Sequence, residues 1–106
     1  MMQERDWEIL RMFAARVREF HPTARIWAYG SRTRGEAKSE SDLDVCVVLD
    51  EADANIRRQI SDLAWEVGFD QDMIISTVVF SVEMFERGRC SVSGLVQTIR
   101  QEGVAA

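Results

Sequence analysis

Residues 29–50 read YGSRTRGEAKSESDLDVCVVLD, and the reading of this stretch decides the fold. Its second half, residues 42–50, alternates. Leu43, Val45, Val47 and Leu49 share one face of a strand, and Asp42, Asp44, Cys46 and Val48 share the other. Upstream, residues 24–29 (ARIWAY) form a short apolar run with β-branched and aromatic character, which predicts a strand ending at Gly30. Residues 30–41 between them hold two glycines, three serines, a threonine and five charges, and no core-forming side chain. They predict a loop, with room for one helical turn after Gly30-Ser31. Loops this long inside compact domains are usually functional or disordered. This one ends in an acidic pair, which favours function.

Working outward, residues 5–20 carry Leu10, Phe13, Ala14 and Val17 at helical spacing, with Trp7 and Phe20 extending the stripe. His21-Pro22 ends that helix. Ile56, Ile60, Leu63, Ala64 and Val67 predict a second helix over 52–67, closed by Gly68. Residues 73–80 (MIISTVVF) predict a third strand. Ser81 reads as the N-cap of a short helix, and residues 88–91 punctuate. Val92, Leu95, Val96 and Ile99 mark a last helix ending at Gly103. The order α-β-loop-β-α-β-α-α predicts an α/β (α+β) fold, a small mixed sheet covered by helices.

The length of 106 residues allows one domain, 1–106, with a real core. Hydrophobic residues at 46% and charged residues at 29% exclude a disordered chain. A net charge of −5 disfavours nucleic acid and anionic membranes as partners. No apolar run approaches the roughly 20 residues that span a bilayer. The first residues mix acids and bases instead of forming a bare apolar centre, so no signal peptide is expected. Cys46 and Cys90 form no metal-ligand or redox motif. Cys46 reads as a small buried hydrophobe, and a reducing cytoplasm is the expected location.

The chemistry begins with Asp42 and Asp44. Residues i and i+2 of a strand point the same way, roughly 6–7 Å apart at Cα. Two carboxylates so placed suit a hard divalent cation, Mg²⁺ or Mn²⁺, shared with substrate phosphates. An isolated Asp-x-Asp more often marks only an exposed strand end. Its surroundings here change that reading. A glycine after a strand lets backbone N–H groups approach an anion, and a helical turn starting at Ser31 would aim more of them at the same spot. Arg32, Arg34 and Lys38 add positive charge in an otherwise acidic chain. Strand, Gly-Ser, basic loop and Asp-x-Asp strand together predict a phosphate cradle beside a cation site, the pairing that nucleotide polyphosphate chemistry needs.

These residues resemble the signature of the DNA polymerase beta-like nucleotidyltransferase superfamily: Gly30-Ser31, ten residues, then Asp42-Leu43-Asp44. Arg34-Gly35 and Ser41-Asp42 are similar to the pattern of its minimal nucleotidyltransferase (MNT) members, many of which are antitoxins encoded beside a HEPN ribonuclease toxin. The tail LVQTIRQEGV (residues 95–104) is similar to the end of such domains. The resemblance implies the polymerase beta-like fold. Asp42 and Asp44 would bind two Mg²⁺ ions, with Mn²⁺ as an alternative. Gly30 and Ser31 would hold the β- and γ-phosphates of ATP or another nucleoside triphosphate. Ser41 would buttress the metal-binding turn, and Arg34 would order the loop or touch phosphate. It further implies AMP transfer to a tyrosine of a HEPN-type partner, within a homo- or hetero-oligomer. Small-molecule acceptors are the weaker version of the same activity.

The superfamily pattern has a third carboxylate on a neighbouring strand, and residues 73–80 hold no acid. Asp72 is the candidate if the strand starts early, although its register fits poorly. Asp70 and Asp72 otherwise read as turn residues after Gly68, and Glu83 as a first-turn helix acid. That departure motivates the alternative of a weak or inactive nucleotide-binding antitoxin that acts by contact. A structural domain with a coincidental motif is a third reading. His21 reads as a helix-end residue, and Trp7, Trp27 and Trp65 as core or interface packing.

Overall fold

Alternation along three strands determines how the sheet is covered. The computed structural model describes residues 1–38, 40–88 and 93–106. Its elements are α1 (Glu4–Phe20), β1 (Arg25–Tyr29), α2 (Ser31–Arg34), β2 (Leu43–Leu49), α3 (Ala54–Gln71), β3 (Ile75–Ser81), α4 (Val82–Glu86), α5 (Gly94–Glu102) and β4 (Val104–Ala105). Among the described residues the strands form one mixed sheet in the order β3-β2-β1-β4. Strand β1 is antiparallel to β2 and β4, while β3 runs parallel to β2. Parallel neighbours need a crossover, and α3 supplies it.

On one face Ile26, Ala28, Leu43, Val45, Val47, Leu49 and Ile75 pack against α1 and α3. The other face is ordered in rows. Arg25, Val48 and Phe80 form one row, and Trp27, Cys46 and Val78 the next. Tyr29, Asp44 and Ser76 form the last. Cys46, Val48 and Phe80 are buried with Phe85 of α4 and Val96 and Ile99 of α5, so apolar cover belongs to the first two rows. The polar third row stands at the end where β2 and β3 begin.

Among the described residues, three helices start on side-chain caps. Asp53 accepts the Ile56 N–H at 2.8 Å, Ser81 that of Met84 at 3.1 Å, and Ser93 that of Val96 at 3.2 Å. Each supplies one of the orphan donors of a helix start with an acceptor. The expected cap at Ser81 is therefore present.

Several expected boundaries move. Helix α3 runs through Gly68 to Gln71 and ends on Asp72, in left-handed backbone at φ 53°. Gly68 does not terminate the helix. A Cβ there would lie 2.3 Å from the Met73 carbonyl oxygen, so glycine serves the close return of the chain. Asp70 is consequently helical rather than in a turn. Phe20 leaves the α1 stripe and is exposed, whereas Asp6 joins it and is buried. Strand β4 has two residues, too few to show a pattern. Cys90 and Val92 lie outside the described residues.

Candidate active site

Gly30 holds the site open. Its backbone lies at φ 85°, ψ −158°, a region that is essentially glycine-only. A Cβ at this position would lie 2.6 Å from Oδ2 of Asp44, so the missing side chain is what lets the carboxylate rest against the turn. Ser31 then starts α2, one helical turn. Thr33 secures that turn by donating from both N–H and Oγ1 to the Gly30 carbonyl, at 3.2 and 2.7 Å. A helix start leaves its first N–H groups without intrahelical partners.

The loop after α2 is anchored by one buried guanidinium. Arg32 reaches both carboxylate oxygens of Asp6 at 3.1 Å, and it also donates to the carbonyls of Ser41 at 2.8 Å and Lys38 at 3.3 Å. Both side chains are almost fully buried. Arg32 therefore orders the chain leading into Asp42, and its expected place among the phosphate-facing charges is corrected. Ser41 closes the same turn, accepting the Lys38 N–H on its hydroxyl at 3.0 Å. Arg34 is exposed and ion-paired with Glu36 and Glu102, both at 3.2 Å. Exposed pairs are weak because solvent screens them, so an incoming phosphate can compete for this side chain.

Asp42 and Asp44 are half-buried at the start of β2. Burial pushes the Asp44 carboxyl above its ordinary value, the Asp42 charge pushes the same way, and the Arg34 charge opposes both. Burial, followed by the Asp44 charge, also raises the Tyr29 phenol. Ser76 stands beside Asp44 in the parallel register and donates its hydroxyl to Oδ2 of Asp42 at 3.1 Å. Two hard oxygen donors at a strained, partly desolvated spot fit a divalent cation completed by substrate phosphates, since it would relieve both the burial cost and the repulsion.

Asp72 does not join them. It is exposed, it caps α3, and it precedes β3 by three residues. Among the described residues no group of three or more His, Cys, Asp or Glu side chains gathers as a metal cluster. The neighbouring strand offers Ser76 to this face, not a third acid. His21 caps the end of α1 and shares a 2.8 Å hydrogen bond with Gln59, away from the site. Cys46 is fully buried, and burial pushes its thiol up to about 12.

Tyr29, Ser76 and the Arg32–Asp6 pair were not expected from the sequence. Asp6 carries a readable signal, because it lies four residues before Leu10 and seven before Phe13, on the apolar stripe of α1. A charge on such a stripe requires a buried partner.

A carboxyl whose folded pKa exceeds its unfolded value binds more protons folded than unfolded between the two. Stability therefore falls as pH rises through that interval, which for Asp44 opens near 3.8. Above it the ionised carboxylate costs stability, at neutral pH included. Asp44→Asn is expected to raise the Tm of the nucleotide-free protein at pH 7 and to flatten its dependence on pH. Thermal melts of both proteins from pH 4 to 7 check this, and a lower Tm for Asp44→Asn at pH 7 would contradict it.

The nucleotidyltransferase domain family model matches residues 10–96. The chain belongs to the nucleotidyltransferase domain family. Over 58 residues it is 36% identical to the "Probable protein adenylyltransferase MntA" of Haemophilus influenzae, an alignment covering 48% of this chain and 51% of that protein. The chain thus spans about half the length of this curated relative. Its fold is similar to a toxin–antitoxin crystal structure with AMP-PNP, at TM-score 0.60 and 22% identity, covering 88% of this chain and 68% of the other. It is also similar to the tri-AMPylated Shewanella oneidensis HEPN toxin in complex with MNT antitoxin, at TM-score 0.55 and 19% identity, covering 99% and 71%. At these identities the structures show the fold, which is the nucleotidyltransferase fold the Gly-Ser…Asp-x-Asp motif implies.

Proposed function

We propose that this chain is a Mg²⁺-dependent nucleotidyltransferase that moves AMP from ATP to a tyrosine hydroxyl of a HEPN-type protein partner, acting in the cytoplasm as that partner's antitoxin. The observation that carries the reading is the fit of the Asp44 carboxylate into the space left by the missing Cβ of Gly30. It sets Asp44 directly against the Gly30-Ser31 turn, which supports reading that turn as the phosphate cradle. Family membership and the adenylyltransferase name of the Haemophilus relative support the chemistry. The toxin–antitoxin complexes among the structural neighbours support the partner class.

Gly30 and Ser31 would cradle the β- and γ-phosphates, with Arg34 leaving its surface pairs to assist. Asp42 and Asp44 would hold Mg²⁺, or Mn²⁺ in its place. When bound, the cation supplies charge neutralisation along the triphosphate and polarises the reacting oxygens. The acceptor oxygen attacks the α-phosphorus, the bond to the bridging oxygen breaks, pyrophosphate leaves, and the acceptor proton passes to solvent. A phenol, with pKa about 10, ionises far more readily than an aliphatic hydroxyl. A tyrosine acceptor therefore suits a face that carries Ser76 where the superfamily pattern has an acid.

Incubation with Mg²⁺, α-labelled ATP and the HEPN-type protein is expected to label the partner on tyrosine. Asp42→Asn/Asp44→Asn should remove the label. Label that persists in that variant, or a partner that never takes label, would overturn the reading.

Ser76 also favours a second reading, an antitoxin that binds nucleotide weakly and neutralises its partner by contact. Ser76→Asp decides between them. On the enzymatic reading a carboxylate at this place tightens Mn²⁺ binding and raises transfer at least about tenfold, a small part of what a placed general base contributes. Unchanged Mn²⁺ affinity and unchanged transfer would favour contact.

A further inference from the structure

Exposed apolar side chains gather on α3 and just before β3. Trp65 is 67% exposed, Phe69 72% and Ile74 67%. Trp65 and Phe69, four residues apart on α3, stack at 5.1 Å between ring centroids. They flank an open cleft of about 750 Å³ whose floor includes Ala64, Gly68 and Ile75. Ser41 and Glu40 line its near end, so the cleft runs up to the residue before Asp42. Exposed aromatic side chains clustered around a cleft mark interaction sites.

The charges around it select the occupant. From Gln59 to Glu86 the chain carries six acids and no lysine or arginine. Asp72 and Glu40 line the cleft itself, and Asp62, Glu66 and Asp70 lie on the same half of α3. The basic groups that α1 brings to this edge are engaged: Arg16 pairs with Glu66, and Arg5 donates to the Gln71 carbonyl. A second copy docking through the same face would set acid against acid, and a polyphosphate would meet the same repulsion.

We propose that this cleft docks a basic amphipathic helix of the acceptor protein, its apolar face on Trp65, Phe69 and Ile74 and its lysines or arginines against Glu40, Asp70 and Asp72. The inference rests on the reading above only in taking the acceptor to be a protein. Docking here runs a partner helix along α3 toward Ser41, the residue that leads into Asp42. An amphipathic helix laid in an apolar groove is a common recognition mode.

Two fluorescent synthetic helical peptides provide the test. Both carry leucine and tyrosine on one face, with lysine on the other face in the first and glutamate in the second. Anisotropy is measured with the whole chain in the absence of nucleotide. The lysine peptide is expected to bind at least about tenfold more tightly than the glutamate peptide and to weaken with salt. Trp65→Ser/Phe69→Ser, changing exposed side chains only, should lower its affinity about tenfold or more while leaving Mg-ATP binding unchanged. Asp70→Lys/Asp72→Lys should reverse the preference between the peptides. Asp42→Asn/Asp44→Asn should retain peptide binding, which separates failure of docking from failure of transfer. Equal binding of both peptides, or binding unaffected by Trp65→Ser/Phe69→Ser, would overturn the proposal. So would loss of Mg-ATP binding in that variant, which would seat the nucleotide base in the cleft. A dimer that the same variant dissolves would assign the face to a second copy and equally overturn it.

Discussion

Replacing Arg32 with methionine should destabilise the fold by about 3–5 kcal/mol, because it leaves the Asp6 carboxylate buried and unpaired. The whole stability of a domain this size is about 5–15 kcal/mol. For small domains each kcal/mol shifts Tm by about 4–8 °C, so a fall of at least about 12 °C is expected in a thermal melt. The loss is not confined to one ion pair. Arg32 also satisfies the carbonyls of Lys38 and Ser41, and both are freed with it. Arg32→Met/Asp6→Leu should recover much of the stability, since an apolar pair replaces the buried ions. It should not recover nucleotide binding, because the segment before Asp42 remains unanchored. A fall in Tm of only a few degrees for Arg32→Met would show that the pair does not organise the loop.

Gly30→Ala should damage the site more than the fold. The backbone at φ 85°, ψ −158° costs a residue with a Cβ about 1–3 kcal/mol. The new methyl would meet Oδ2 of Asp44 at 2.6 Å, and a carboxylate on a rotatable side chain gives way before the sheet does. Asp44 then turns away from the Gly30-Ser31 turn. Mg-ATP affinity should fall at least about tenfold, since the cation and the phosphates lose their common placement. Calorimetric titration with Mg-ATP, at a temperature where melts show the variant folded, checks this. Unchanged affinity would mean that Asp44 and Gly30 do not act together.

The sequence shows the strands and the acid pair for the same reason. Period-two alternation over residues 42–49 assigns each side chain to one face of the sheet and sets both carboxylates on the same face. Helices α1 and α3 announce themselves by their apolar stripes, and His21-Pro22 marks the end of α1, but the end of α3 is hidden. Gly68 looks like a stop, and only the approach of the Met73 carbonyl reveals why glycine is needed inside the helix. Arg32 and Arg34 look alike in sequence, two residues apart in one basic loop. Their fates differ because a buried acid from α1, some 26 positions away, claims one and leaves the other at the surface. Ser76 carries no signal in the sequence, because a lone hydroxyl in an apolar strand is ordinary, and its meaning comes only from the register that sets it beside Asp44. Strand β4 has no pattern of its own and exists through its pairing with Trp27 and Ala28.

The central claim is that Gly30, Ser31, Asp42 and Asp44 form one site for a metal-bound nucleotide. Isothermal titration with ATP, with and without Mg²⁺, tests it most directly on the wild type and on Asp42→Asn/Asp44→Asn. Binding that requires Mg²⁺ and disappears in the folded variant is the predicted result. Binding of equal strength with and without the two carboxylates would contradict it.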